Sequence, residues 1–359
     1  MRKLLALLLI LSLLLCGCSI EIVLPPEETA TSTVIRSDDT IAVHFIDVGQ
    51  ADCALIECGG EFMLIDGGNR EDGQKVISYL QSCGVEELET VICTHAHEDH
   101  VGGLPAVLAV YPTAAVYAPT KTYASDVFDD FLYYVDQQRL DVTIPTPGTR
   151  FSLCSDGQTG GAEVTILGPV KSYAETNDTS IVVLVEFYNH SFLFTGDMEV
   201  AAENDMLDYW DGKIDWNVDV LKVGHHGSTT SSGYRFVYET DPEYAVISVG
   251  EGNTYDHPEK EVLRRYRDAG IPQFRTDELG TIVAVSDGNE LSFTWENQSA
   301  APAGVPDASG IRGFFGNRKS MKFHAPHCGS LPQGDNRIFF ETYRAATEAG
   351  YTPCASCMG

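Results

Sequence analysis

Apolar and polar positions alternate along the chain in short blocks that read as strands and helices. "IAVHFIDV" (41–48), "DCALIEC" (52–58) and "EFMLID" (61–66) read as three strands, closed by Gly49, Gly59-Gly60 and Gly67-Gly68. "DGQKVISYLQSCG" reads as a helix, with Val76, Ile77 and Leu80 on its apolar face and a stop at Gly84. A strand at 90–93 follows, then helical stretches over Gly103–Tyr111 and Ala124–Leu140. "AEVTILGP" and "SIVVLVEFYNHSFLFTG" predict strands, the latter turning at Asn189-His190, and Met198–Trp210 predicts a helix. "DVLKV" (219–223) and "YAVISVG" (244–250) are further strands, "YDHPEKEVLRRYRDAG" carries a helix, and "GTIVAVSDGNELSFTW" is a closing hairpin. Strands alternating with helices, with polar clusters at strand carboxyl ends, predict an α/β layered fold whose site runs along one rim.

The first residues obey a different pattern. Arg2 and Lys3 precede an apolar run, Leu4 to Leu15, too short to span a bilayer comfortably, so this segment reads as an export signal. The polar, Pro- and Thr-bearing segment after it suits a flexible tether. With 359 residues, 43% of them hydrophobic, the chain has room for one large domain and a smaller one. The boundaries read as 1–18 signal, 19–39 tether, 40–297 main domain, 298–318 linker ("ENQSAAPAGVPDASG" marking its start) and 319–359 a small module.

Charge is unevenly spread. The net value is −29, yet Gly310–Gly359 carries about +3 (Arg312, Arg318, Lys319, Lys322, Arg337 and Arg344 against Asp335, Glu341 and Glu348) and the remainder about −32. An acidic body repels polyanions, whereas a small basic module can hold one. Of the ten cysteines, Cys16 and Cys18 belong to the signal, and Cys328, Cys354 and Cys357 have metal-site spacing. Cys53, Cys58, Cys83, Cys93 and Cys154 stand in mostly apolar contexts and read as buried free thiols.

The chemistry concentrates in "THAHEDH" (94–100), directly after a strand. His95 and His97 are two apart, so on an extended segment both side chains point the same way and can grip one metal. Asp99 and His100 follow as the chain turns, aimed at a second position. Asp197 in "LFTGDM" and the pair His225-His226 in "KVGHHGS" also stand at strand ends, and two adjacent metals need about this number of ligands. His44 and His190 read as structural. The tail holds His324, Cys328, Cys354 and Cys357, spaced by 4, 26 and 3, with His327 as a poorer competitor for the site. A zinc ion there would give about 40 residues the stability that so small a core lacks.

The HxHxDH at 95–100, "LIDGG" at 64–68, "TGDM" at 195–198 and "VGHHGS" at 223–228 together resemble the metallo-β-lactamase fold. "HFIDVGQADCALIE", "NDTSIVVLV", "LKVGHHGS", "DHPEKEVLRRY" and "RTDELGTIVAVSDG" more narrowly resemble the competence-related ComEC/Rec2 hydrolase domain. The resemblance implies a four-layer αβ/βα sandwich and a hydrolase with two divalent ions, Zn²⁺ or Mn²⁺. His95 and His97 would bind the first ion, Asp99 and His100 the second, and Asp197 would bridge them. One of His225 and His226 would complete the second site, and Asp66 would orient the histidine loop. Many members supply a further histidine to the first metal. Here "ETNDTSIV" offers Asn177, Asp178 and Ser180 instead, and such an oxygen-rich position suits Mn²⁺ as well as Zn²⁺. The implied chemistry is attack on phosphorus by a metal-bound hydroxide, with His257 in "TYDHPE" contacting the phosphate or protonating the leaving group.

Leu15-Cys16-Gly17-Cys18 resembles the lipobox of bacterial lipoproteins, with Cys18 as the lipidated residue and an anchor in the membrane's outer face. The tail resembles the zinc module of the Ada DNA-repair protein, with His324 where that module has a cysteine. Imidazole is an ordinary ligand in a closed structural zinc site. The leading expectation is therefore an extracellular nuclease acting on DNA, with no organic cofactor. With no groove-reading helix or run of stacking aromatics in the sequence, little sequence preference is expected. Hydrolysis of a small cell-envelope phosphodiester, lactam or lactone is a second expectation, and a DNA-capture surface protein a third.

Overall fold

The computed structural model describes residues 40–154, 161–303, 313–326, 328–340 and 342–358. The signal, the tether, Cys18 and His327 lie outside them. Among the described residues no helix is long and apolar enough to cross a membrane.

Two sheets carry the body. The first runs β15 (Leu291–Trp295), β14 (Ile282–Ser286), β1 (Ile41–Phe45), β2 (Ala54–Cys58), β3 (Glu61–Ile65), β4 (Leu88–Ile92), β5 (Thr113–Tyr117), β6 (Val142–Thr143). The second runs β13 (Gln273–Arg275), β12 (Tyr244–Ile247), β11 (Val220–Lys222), β10 (His190–Phe194), β9 (Val182–Phe187), β8 (Ala162–Gly168), β7 (Arg150–Leu153). Strand alternation explains the layering, because successive side chains point to opposite faces. Ile41, Val43 and Phe45 on β1 and Val183, Val185, Phe192 and Phe194 on β9 and β10 meet between the sheets. Their neighbours face outwards. Leu55, Leu64 and Val91 pack against helix residues Val76, Leu80, Val107, Phe128 and Phe131. Leu184, Leu193, Leu221 and Ile247 pack against Met206, Leu207, Val237, Val262 and Tyr266. The result is the expected αβ/βα sandwich, each fully buried large apolar side chain contributing about 1.5–3 kcal/mol.

Three expectations need correction. The turn between β9 and β10 falls at Tyr188-Asn189, one residue early, with Tyr188 in the left-handed region at φ 51°. The five cysteines are not all free, because Cys58 and Cys154 form a disulfide across 96 residues. Cys58 ends β2 and Cys154 follows β7, so the bond joins one sheet to the other; Cys53, Cys83 and Cys93 form no disulfide. The span 298–318 is not all linker. Ala303 pairs with Gln273, and the Trp295 indole donates to the Ala300 carbonyl, so its beginning lies on the body.

The end of that span also belongs elsewhere. Phe314–Asn317 forms β16, the inner strand of a third sheet ordered β18 (Arg337–Phe340), β16, β17 (Lys322–His324), β19 (Thr352–Pro353). A run of two phenylalanines in a Gly-rich context masked this strand, which buries Phe314 against Tyr238, Phe323 and Tyr343. Through Phe314, Phe323, Phe340 and Tyr351 the small sheet shares one apolar core with the body's outer helices.

Candidate metal centre

The centre is built where strands of both sheets end. β3 leads into Asp66, whose φ of 59° turns the chain, and β4 leads into Thr94. The Asp66 carboxylate accepts from the Thr94 N–H at 2.7 Å and the Thr94 hydroxyl at 2.7 Å, and it meets His100 Nδ1 at 2.7 Å. A Cβ on Gly103 would lie 2.0 Å from the Gly67 carbonyl oxygen, so glycine is required where the helix after the histidine loop crosses the "DGG" turn. That crossing is tied by Gly67 N–H to His100 O at 2.7 Å.

The second sheet delivers the remaining groups. β10 leads to Asp197, whose N–H donates to Ser180 Oγ at 3.0 Å, while that hydroxyl donates to Asn177 O at 2.6 Å. Ser180 thus positions the Asp197 loop, and the Asn177 amide turns to Glu199 at 3.1 Å. After β11 the chain passes Gly224-His225-His226-Gly227, with both histidines in the left-handed region at φ 50° and 52°. Two such residues in succession are strained, a feature that clusters at functional sites.

His226 is buried, with Nδ1 3.0 Å from the Ser248 carbonyl and Nε2 3.3 Å from Asp99 and 3.7 Å from Asp197. His100 Nε2 lies 3.2 Å from the other oxygen of Asp197. Neither Nε2 has a hydrogen-bond partner in acceptable geometry among the described residues, nor does Asp197 Oδ1. Each ring therefore spends its outer nitrogen on the protein and aims a bare inner nitrogen at carboxylate oxygen, that of Asp197 for His100 and those of Asp99 and Asp197 for His226. That arrangement fits a cation. Asp99, His100, Asp197 and His226 each present a ligand atom within 4.8 Å of the others.

The first position is sparser. His95 Nε2 is 3.1 Å from His97 Nδ1 and 3.9 Å from Asp197 Oδ2, the oxygen that His225 Nε2 approaches at 3.7 Å. His225 is the more open of the pair, its side chain 21% exposed, and its ring lies 5.7 Å from that of His257. His257 stands at the mouth, 3.5 Å from the Gln50 amide, rather than among the buried groups.

Sequence reasoning missed Asp52 and Lys222. Lys222 Nζ is buried and donates to Asp52 Oδ2 at 2.7 Å, and Asp52 Oδ1 lies 3.2 Å from His226 Nδ1. A lysine within the apolar strand "DVLKV" was the available signal, since a fully buried lysine needs a partner. Burial pushes the Asp52 carboxyl up, but Lys222 and then His226 outweigh it and hold it well below the carboxylate range. Burial also opposes the charged form of Asp99, yet His100 and His226 hold it down at about 2. Burial and the neighbouring His100 ring hold His95 well below the imidazole range, whereas at His100 and His226 the pull of burial is outweighed by Asp197 and the carboxylates beside it, which raise both.

The tail presents a second cluster. His324, Cys328, Cys354 and Cys357 are all buried, with ligand atoms within 4.8 Å of one another. His324 Nδ1 lies 3.2 Å from Cys328 Sγ, and its Nε2 has no partner among the described residues. The donor set fits the tetrahedral Cys₃His zinc site expected from the spacing.

The sequence model of the metallo-beta-lactamase superfamily matches residues 46–251. The chain belongs to the metallo-beta-lactamase superfamily. The metal-binding domain of Ada matches residues 307–358, so the small module begins before 319, in agreement with β16. Among relatives of this superfamily member, "ComE operon protein 3" of Bacillus subtilis is 30% identical over 262 residues, 67% of this chain and 32% of its own. "Competence protein ComA" of Neisseria gonorrhoeae is 29% identical over 68% of this chain and 32% of its own. "Recombination protein 2" of Haemophilus influenzae is 32% identical over 65% and 28%. The chain thus spans about a third of the length of the relatives it matches, and it resembles their ComEC/Rec2 group. Among solved structures, the metallo-beta-lactamase fold protein YhfI from Bacillus subtilis is 14% identical, covers 69% of this chain and 100% of its own, and has a TM-score of 0.46.

Proposed function

We propose that this metal-dependent hydrolase is exported, held at the outer face of the membrane through Cys18, and cleaves phosphodiester bonds in DNA. The observation that carries the reading is the convergence of two bare Nε2 atoms, on His100 and His226, with Asp99 and Asp197. In this reading Asp99, His100 and His226 would hold one divalent ion and His95 and His97 the other, with Asp197 within reach of both groups. Bound ions of this kind lower the pKa of water and offset charge on oxygen. The chain's own groups do the rest. Asp66 fixes the His100 ring through Nδ1, Ser248 and Asp52 fix His226, and Lys222 balances Asp52. His225 and His257, flanking the mouth, would contact the phosphate or the leaving oxygen.

DNA as substrate is supported by relatives named for competence and recombination, and by exposed Arg318, Lys319, Lys322 and Arg337 on the Ada-like module. Export is supported by the leader and by the Cys58–Cys154 disulfide, since such bonds persist in oxidising compartments. A second reading has its own observation. A cleft of about 590 Å³ beside the rim is lined by Asp47, Glu71, Asp72, Glu251, Asp277 and Glu278 against Lys75 alone, which disfavours a polyanion and favours a small ester.

The deciding assay incubates the purified chain, loaded with Mn²⁺ or Zn²⁺, with single- and double-stranded DNA, a chromogenic phosphodiester and a β-lactam. The nuclease reading expects DNA cleavage that disappears on chelation and in His97→Ala. Turnover of the small phosphodiester with DNA intact would replace it with the second reading.

A further inference from the structure

Four tyrosines of the described residues are more than 40% exposed, and three have local reasons to be. Tyr133 packs edge-on to Tyr134, Tyr188 fills a turn against Phe187, and Tyr209 lies under the Lys213 ammonium at 4.1 Å. Tyr255 is the most exposed, at 67%, and its one ring partner among the described residues is His257, stacked at 5.8 Å with 25° between the planes. From there the groups run inwards, His257 to His225 at 5.7 Å, then His225 Nε2 to Asp197 at 3.7 Å. Tyr255 is therefore the outermost member of an aromatic series that ends at the metal centre.

Its loop is built to hold still. Asn253 Oδ1 accepts from the N–H groups of Tyr255 and His257, both at 3.1 Å, and Asn253 Nδ2 donates to the carbonyls of Gly250 at 2.9 Å and His257 at 2.6 Å. Gln50 anchors the same loop through the Gly250 N–H at 3.2 Å. One side chain with four hydrogen bonds to the backbone fixes a large, solvent-facing ring beside the centre. A fixed aromatic face loses little conformational freedom when a flat group settles on it, and every nucleobase offers such a face.

We propose that Tyr255, backed by His257, is a stacking subsite for the unpaired base next to the phosphate being cleaved, so that the substrate is single-stranded nucleic acid. This rests on the phosphodiesterase reading above. A base inside a duplex has its faces covered by its neighbours, whereas an unpaired base can swing onto the ring. Stacking is indifferent to base identity, so the subsite gives strand selectivity without sequence selectivity. It also supplies, from a single short loop, the aromatic contact that no run in the sequence provides.

The test compares single strands that carry a base or an abasic unit beside the scissile phosphate. Tyr255→Ala should lower the based-to-abasic ratio of kcat/KM by about five- to thirty-fold, through KM, and Tyr255→Phe should retain it. An unchanged ratio in Tyr255→Ala overturns the proposal. A second readout needs no turnover: a slowly hydrolysed phosphorothioate strand carrying 2-aminopurine at that position, bound to the full chain, with its fluorescence followed. Quenching that disappears in Tyr255→Ala supports the subsite, even in a chain that cuts no DNA, in which case only the nuclease reading falls. Quenching that is absent from the unchanged chain, or that survives in Tyr255→Ala, removes the subsite whatever the cleavage assay reads.

Discussion

The two ligand clusters of this chain differ in what surrounds them. At the rim, Asp99 and His225 keep 31% and 21% of their side chains exposed, and the buried nitrogens of His100 and His226 point at carboxylates. In the tail, His324, Cys328, Cys354 and Cys357 are each 5–8% exposed, and the three cysteines lie in the same apolar core as Phe323 and Tyr351. Carboxylate and imidazole ligands around an open side leave room for a reacting molecule, while three thiols and an imidazole under an apolar cover leave none. The first cluster is arranged for exchange and the second for permanence.

That contrast can be broken from either side. Asp197→Asn should reduce hydrolysis below detection while leaving the circular dichroism spectrum intact; comparable turnover would mean that Asp197 holds no ion. Cys357→Ser should do the opposite, shedding one zinc equivalent and letting protease into residues 313–358, because structural zinc carries about 10–16 kcal/mol of folding energy in small modules. Activity per folded molecule should persist, and an intact, protease-resistant tail would show that the apolar core suffices without the ion. Away from both clusters, Cys58→Ser should cost about 2–5 kcal/mol in urea unfolding, with reductant reproducing the loss in the unchanged chain.

Two smaller effects sharpen the comparison. Glu203 is buried beneath the loop after the His225-His226 pair, accepting from the Ser232 N–H at 2.6 Å and the Gly233 N–H at 2.9 Å. Burial pushes it from the usual 4.5 up to about 7, against the pull of those donors. The folded chain then holds this proton more tightly than the unfolded one. The stability it confers is complete below about pH 4.5 and is lost as pH rises through about 7, on the order of 3 kcal/mol. Glu203→Gln should flatten that slope when unfolding is measured at pH 5 and 8. Last, Asp66→Asn should lower metal affinity or activity by about 10–100-fold, because it touches the ion only through His100; a full loss would place Asp66 on the ion itself.

Much of the rim was legible because its ligands sit in short motifs at strand ends, where spacing and period suffice. Asp99, His100 and Asp197 converge with His226, and His95 and His97 lie beside each other next to Asp197. The choice between His225 and His226 was not legible. It depends on two left-handed residues that send one ring inwards and the other to the mouth, and on Ser248, 22 positions away, which takes up one nitrogen of the inner ring. The Asp52–Lys222 pair, 170 residues apart, escaped for the same reason. Cys58 and Cys154 looked like apolar filler because each stands in a mostly apolar stretch with no motif around it; only the meeting of two sheets makes them neighbours. The strand Phe314–Asn317 was hidden because its partners Phe340 and Tyr238 come from a different stretch of the tail and from the body.

The tail's packing has a practical consequence for anyone dividing this chain. Phe314, Phe323 and Phe340 rest in the same core as Leu207, Val237 and Tyr238 on the body's outer helices. Cutting at residue 297, in the stretch between the two spans matched to families, bares that apolar ground to water. The shortened protein would then carry a sticky flank, the kind of exposed patch that draws copies into aggregates. Matches to two families therefore count ancestors here, while the number of units that fold on their own is smaller.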